Sequence, residues 1–344
     1  MTRFHHTALA LAACALLAAA ATAQGAPAFH VDHKIAIGGE GGWDYLYMDA
    51  SAHRLYVSHG TRAVVVDVRT DSIMGSVAPA NGIHGIAIAP ELHRGWTSNG
   101  RDSSVTVFDT RTLATLASVK LPARNPDAIV YDPASSRVFT FNGGSGNATA
   151  VDAKTDTVIG NVALGGRPEF SAVDGTGHLW VNLDDSSAVV KLDTRTLQVL
   201  GRWPVAPGEG PSGLALDAKH RRLFSVCGNR TLVVMSADDG RVVATLPIGQ
   251  GVDAVVYDGA HGLVLASNGE GTMTVVQQDG ADRYTVVENA VTERGARTMA
   301  VDPTTGRAYL ATADFGPAPA PTADRPHPRP SMVPGTFRIL VLSR

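Results

Sequence analysis

Six residues of unlike chemistry stand at corresponding points along this chain: Asp44, His84, Asp127, Glu169, Asp253 and Arg297. Each directly precedes a short apolar run and lies about 42 residues from its neighbour, with Ser212 filling the place between Glu169 and Asp253. Carboxylates, an imidazole and a guanidinium gathered at one place could bind a charged ligand, hold a metal ion or move a proton. A purely structural repeat would keep one residue type at such a position. The change from unit to unit therefore marks a pocket built from single contributions. Trp43, beside Asp44, and His59, on a neighbouring loop of the same unit, complete the candidate ligand-binding set.

The elements that must position these side chains are legible in the same spacing. Asp-containing turns recur at Asp49, Asp132, Asp174, Asp217, Asp258 and Asp302, with Ala89-Pro90 in the second place. The steps are 40, 43, 42, 43, 41 and 44 residues, a period that belongs to four-stranded propeller blades. First strands read GIAIA (85–89), AIVYD (128–132), FSAVD (170–174), GLALD (213–217), AVVYD (254–258) and TMAVD (298–302). They are nearly continuous in apolar residues, as suits strands covered on both sides by neighbouring blades. The expected fold is an all-β, seven-bladed propeller of four-stranded blades.

In such a ring the loops entering each first strand, and those joining second to third strands, emerge on one face. The entering loops carry the six residues above, so these should converge on the central mouth. The second set carries His59, Asn99, Asp102, Asn142, Asp184, Asp185, Cys227, Asn229, Asn268 and Asp314. Asn99-Gly100, Asn142-Gly143 and Asn268-Gly269 read more simply as tight-turn residues that tolerate positive φ. His53, His93, His178, His220 and His261 follow the turn markers by three or four residues. They belong to the opposite rim, one per blade, too spread to share an ion.

The ends suggest how the ring shuts. The seventh unit supplies three strands and stops, whereas residues 29–37 (FHVDHKIAI) precede the first unit without a partner. Pairing the two ends would leave no free edge. Residues 313–336, with seven prolines, interrupt the last unit between its second and third strands. That places a Pro-rich insertion over the candidate face, as a lid with Arg325, His327 and Arg329 or as a surface tether.

Residues 1–23 combine Arg3, an Ala-rich apolar run and Ala21-Thr22-Ala23, the pattern of a secretory signal peptide. A lipoprotein box at Leu11 to Cys14 competes with it. The expected mature domain, 24–344, is periplasmic or secreted and monomeric. No later stretch has the roughly 20 apolar residues needed to cross a membrane. The formal charge of the full chain is -3, against a general phosphate-binding surface. Beyond Cys14 the sequence has one further cysteine, Cys227, so the mature domain can form no internal disulfide. It reads as a buried thiol with no base beside it.

Motifs of the zinc-protease, nucleophile-elbow, phosphate-loop and CxxC kinds are absent. No cofactor is expected, although an oxygen-ligand calcium site from Glu169, Asp253 and Asn229 is conceivable.

Several phrases carry a family likeness: NPDAIVYDP (125–133), VFTFNGGSGNATAVDAKT (138–155), GLALDAKHRRLF (213–224), ATLPIGQGVDAVVYD (244–258) and GARTMAVDP (295–303). With residues 311–342 they resemble the YncE-like members of the YVTN β-propeller repeat proteins over essentially the whole mature chain. The resemblance implies a secreted seven-bladed propeller and carries no established reaction. Ala89 replaces the usual turn Asp, and the Tyr-Val-Thr-Asn phrase survives only as variants such as residues 56–59 and 96–99. The leading functional expectation is a binding or scaffold protein using the face around the central channel. The alternatives are a calcium-dependent lactonase-type hydrolase and a single-stranded nucleic-acid binder drawing on Arg124, Arg167, Arg294 and Arg297.

Overall fold

In the computed structural model, which describes residues 28–320, 322 and 330–344, seven four-stranded antiparallel sheets form the ring of a seven-bladed propeller. The strands are numbered β1 to β28 in chain order. The innermost strands are β2 (Leu46–Asp49), β6 (Ile83–Ala89), β10 (Pro126–Asp132), β14 (Pro168–Val173), β18 (Pro211–Asp217), β22 (Val252–Asp258) and β26 (Thr298–Val301). The second and third strands of each blade are almost wholly buried, as in Arg54–His59 and Arg62–Asp67. The outermost strands alternate towards solvent, as in Thr115–Lys120 and Val199–Pro204. The core lies between blades. One cluster joins Leu55, Val57, Val64 and Val66 of the first blade to Tyr309, Ala311, Ile339 and Val341 of the last, and other clusters repeat this pairing of neighbouring sheets.

The recurring Asp has a local cause. Asp49 Oδ1 accepts from Ser51 Oγ and the Ala52 amide, and Asp132, Asp217, Asp258 and Asp302 bind residues two or three positions on in the same way. These are Asx turns, in which the carboxylate mimics a backbone acceptor. The second blade lacks the Asp and turns instead through a short 3-10 segment, Pro90–Leu92, with His93 at φ 52°. Nδ1 of His178, His220 and His261 donates to Oδ2 of Asp174, Asp217 and Asp258 on this rim, at 3.0, 2.6 and 2.6 Å.

Closure follows the expected route. β1 (His30–Ala36) pairs antiparallel with β28 (Arg338–Ser343), His30 facing Ser343 and Ala36 facing Arg338, as the outer strand of the last blade. Phe29 and Ile35 are buried, and the Ile37 and Gly38 amides both donate to the Phe337 carbonyl. Gly38 to Gly42 then carry the chain inward to β2.

Blades also interlock near the axis. The Tyr45 amide donates to the His84 carbonyl at 3.3 Å, and the Ala254 amide to the Arg297 carbonyl at 3.1 Å. Asn182 Nδ2 donates to the Ser212 and Gly213 carbonyls. Neighbouring inner strands approach so closely at Gly213 that a Cβ there would lie 2.7 Å from the Asp253 carbonyl oxygen. The signal-peptide reading of residues 1–23 lies outside the described residues.

Candidate functional site

Register brings the entering-loop residues to the axis. Asp44 is two residues before β2, His84 and Asp127 are the second residues of β6 and β10, Glu169 and Asp253 are the second residues of β14 and β22, and Arg297 directly precedes β26. One position further on, Tyr45 and Phe170 pack against each other across the axis, their rings tilted by 35° with centroids 4.2 Å apart. Below them a channel of about 290 Å³ is lined by Tyr45, Phe170, Met299 and inner-strand aliphatics. Above them opens a cavity of about 650 Å³ walled by Trp43, Asp44, His84 and Asn125. The polar lining of the one and the apolar lining of the other thus meet at consecutive residues, Asp44 and Tyr45.

The polar ring falls into two halves. In the first, His84 Nδ1 lies 2.7 Å from Asp44 Oδ2 and 3.6 Å from Asp127 Oδ1. One ligand atom from each of the three can be chosen so that all lie within 4.8 Å of one another. In the second, Arg297 Nε donates to Asp253 Oδ2 at 2.7 Å. Glu169 stands between the halves, 3.8 Å from Arg167 Nε, but that guanidinium is also paired with Asp184.

Crowding of carboxylates shows in their acidities. Burial and the neighbouring Asp44 push Asp127 up to about 7, in spite of His84. Burial and Asp127 push Glu169 up to about 8, in spite of Arg167. Burial draws the His84 imidazole down, but its hydrogen bond to Asp44 and the charges of Asp127, Asp44 and Glu169 more than offset this and raise it overall. These are the opposing effects of desolvation and of nearby like or unlike charge. Four carboxylates thus share the mouth with one guanidinium and one imidazole.

Tyr45 is a residue of the mouth that sequence reasoning passed over, reading it as the start of a strand. Its hydroxyl is shielded from solvent and has no hydrogen-bond partner among the described residues. It is raised well above its ordinary value by burial first and then by Asp127, Asp44, Glu169 and Asp253 together. The signal available in the sequence was a lone phenol at a ring position otherwise occupied by Gly85, Ala128, Gly213, Ala254 and Thr298, with only Phe170 comparable in size.

Other candidates lie elsewhere. His59 is buried beneath the Gly38 to Gly42 loop and stacks on Phe337 at 4.3 Å, where burial and Arg62 pull its pKa below the ordinary imidazole value. It does not reach the mouth. Trp43 flanks the mouth and packs on Phe337 and Phe315 at 5.1 and 6.0 Å. Asn229 accepts from the Glu209 amide and donates to the Pro207 carbonyl. Of the oxygen set Glu169, Asp253 and Asn229, Asp253 accepts from Arg297 Nε. Cys227 is fully buried and its thiol is pushed up to about 11 by burial.

The Asn residues of the second loop set differ from expectation in mechanism. Asn142 and Asn268 are buried at strand ends, where Nδ2 of each donates to a threonine hydroxyl on the adjoining strand, Thr149 and Thr274. The left-handed backbone of those loops falls later, at Gly146 and Gly271. Their value is a buried amide that ties the hairpin, not a tolerance for positive φ.

The stem of the Pro-rich insertion is ordered against the mouth. The Gly316 amide donates to Ser331 and the Val333 amide to Asp314. Phe315, Pro330, Met332 and Pro334 wall a second cavity of about 500 Å³ shared with Trp43 and Arg297. Arg325, His327 and Arg329 lie outside the described residues.

No helix among the described residues is long and apolar enough to cross a membrane, a statement that does not bear on β-barrels. No family model matches the chain, and no curated protein matches it. Among solved structures it is similar to one described as U3-55K, with a TM-score of 0.73 and 6% identity over 90% of this chain and 97% of the other. It is likewise similar to the RRP9 WD40 repeats, with a TM-score of 0.73 and 7% identity over the same shares. At such identities the likeness concerns the propeller fold alone.

Proposed function

We propose that this protein is a binding propeller of the periplasm or extracellular space, which captures a positively charged ligand at the axial mouth of its loop-rich face. The observation that carries the reading is the imbalance of that mouth. Asp44, Asp127, Glu169 and Asp253 converge there, and Arg297 is already committed to Asp253. A bound cation would offset both the burial and the mutual repulsion that raise Asp127 and Glu169. The leader-like residues 1–23 support export, and the phrases quoted above support kinship with the YncE-like proteins.

The same charge distribution disfavours the nucleic-acid reading. Arg167 and Arg297, two of its four arginines, are spent on carboxylates at the mouth, whereas a single-strand groove needs uncompensated cations along its length. The lactonase-type alternative requires calcium to polarise an ester, and its oxygen ligands would have to be recruited from residues engaged elsewhere.

A thermal-shift panel of calcium, magnesium, cobalt(II) and spermidine tests the proposal. At least one should raise the midpoint in a concentration-dependent way, and Asp44→Asn with Asp253→Asn should abolish the rise. A panel with no effect on the parent protein would overturn it.

A further inference from the structure

We infer that Asp44, His84 and Asp127 form a binding site for a first-row divalent transition metal, a conclusion that sharpens the cation-binding reading and rests on it. Three consecutive blades each contribute one donor, and the three donor atoms lie within 4.8 Å of one another. His84 Nδ1 faces both carboxylates, at 2.7 and 3.6 Å. Two carboxylate oxygens and one imidazole nitrogen suit zinc, cobalt, iron or manganese. Calcium and magnesium favour all-oxygen shells, and so are poorly matched to a set that includes the ring nitrogen.

The donors are held by their backbones. The Asp44 amide donates to Ser58 Oγ at 2.8 Å. Ser98 Oγ accepts from the Gly85 amide at 2.9 Å, next to His84, and donates to the Asp127 carbonyl. Each hydroxyl comes from a second strand, so the sheets themselves fix the spacing of the three side chains, as a preorganised site requires.

A second observation concerns the phenol that directly follows Asp44. The Tyr45 hydroxyl is shut off from solvent among four carboxylates, yet it meets no acceptor and no donor among the described residues. A buried hydroxyl left unpaired is costly. A metal ion beside it, or a water held by that ion, supplies the missing partner. Three protein donors also leave coordination positions open towards the cavity above, which Asp44 and His84 line. The site can therefore present the metal to a further anionic or neutral ligand.

Titration of the chelator-treated protein with cobalt(II) chloride, followed by visible absorption and by calorimetry, tests the inference. One equivalent should bind with the visible bands of a nitrogen- and oxygen-ligated ion, and excess calcium should not displace it. His84→Ala and Asp127→Asn, each checked for an unchanged far-ultraviolet spectrum, should weaken binding by more than about tenfold, since loss of outer-shell support alone has that effect. Tyr45→Phe, which keeps the ring packing and removes the hydroxyl, should weaken it or alter the bands. Absence of uptake, or uptake indifferent to both ligand variants, overturns the site. If cobalt fails while spermidine or calcium still raises the melting midpoint, only this inference falls; if every cation fails, the cation-binding reading falls with it.

Discussion

Replacing Glu169 by Gln should stabilise this protein by an amount that grows as pH rises from about 4.5 to about 8. Glu169 is moved from 4.5 to about 8 because burial and Asp127 disfavour its ionised form, and its side chain retains 20% exposure. The folded chain thus holds this proton more tightly than the unfolded chain. The associated stability is present below the unfolded value, falls as pH rises through the interval, and is gone above about 8. At about 1.4 kcal/mol per pH unit, full ionisation costs on the order of 5 kcal/mol. With an unfolding entropy of about 2 cal/mol/K per residue, that corresponds to a rise of roughly 7 °C in Tm. The assay is thermal or urea unfolding of parent and variant with chelator present, at pH 5 and pH 9. The variant should match the parent within about 1 kcal/mol at pH 5 and exceed it clearly at pH 9. Equal differences at both pH values would refute the electrostatic account of the mouth.

His59 should act with the opposite sign. Its folded value is depressed by burial and by Arg62 from 6.5, so stability should fall as pH drops through about 6.5, and His59→Gln should flatten the urea midpoint between pH 7.5 and 5. His84, whose value is raised, contributes in the other direction, so the parent-minus-variant difference is the quantity to read. Removal of residues 29–37 takes away the six β1 to β28 pairs and the buried Phe29 and Ile35, and should abolish cooperative melting by calorimetry. In a protein starting at residue 24, Cys227 should resist a thiol reagent until urea unfolds the chain, since burial pushes the thiol up to about 11; native-state labelling within minutes would contradict this. Exchanging residues 313–336 for a short Gly-containing turn opens the wall beside Trp43 and Arg297 and should speed dissociation of a bound cation; unchanged kinetics would reduce the insertion to a tether.

Period and strand pattern carried the architecture, because each blade must bury the same faces and turn at the same place. Even the exception at Ala89 was visible, with Pro90 beside it ready to start a different turn. The convergence of Asp44, His84, Asp127, Glu169, Asp253 and Arg297 followed from phase alone. Phase could not say which would pair. Arg297 chooses Asp253 and His84 chooses Asp44 through side-chain reach across blades, a distance that no linear spacing encodes. His59 was placed on the right face, but its depth depended on a glycine loop folding over it: a Cβ at Gly39 would stand 3.0 Å from its Nε2. Tyr45 escaped notice for the reverse reason. In a strand-forming context an aromatic residue reads as core, and its solitary hydroxyl gains meaning only when four acids from other blades surround it.

The placement of β1 as the outermost strand of its sheet has a practical side. A fusion partner joined at residue 28 leaves from the perimeter of the disc, a full blade's width from the axis. An immobilising tag or surface tether added there would leave the acidic opening unobstructed, whereas one spliced into the Pro-rich stem would hang beside Trp43 and Arg297.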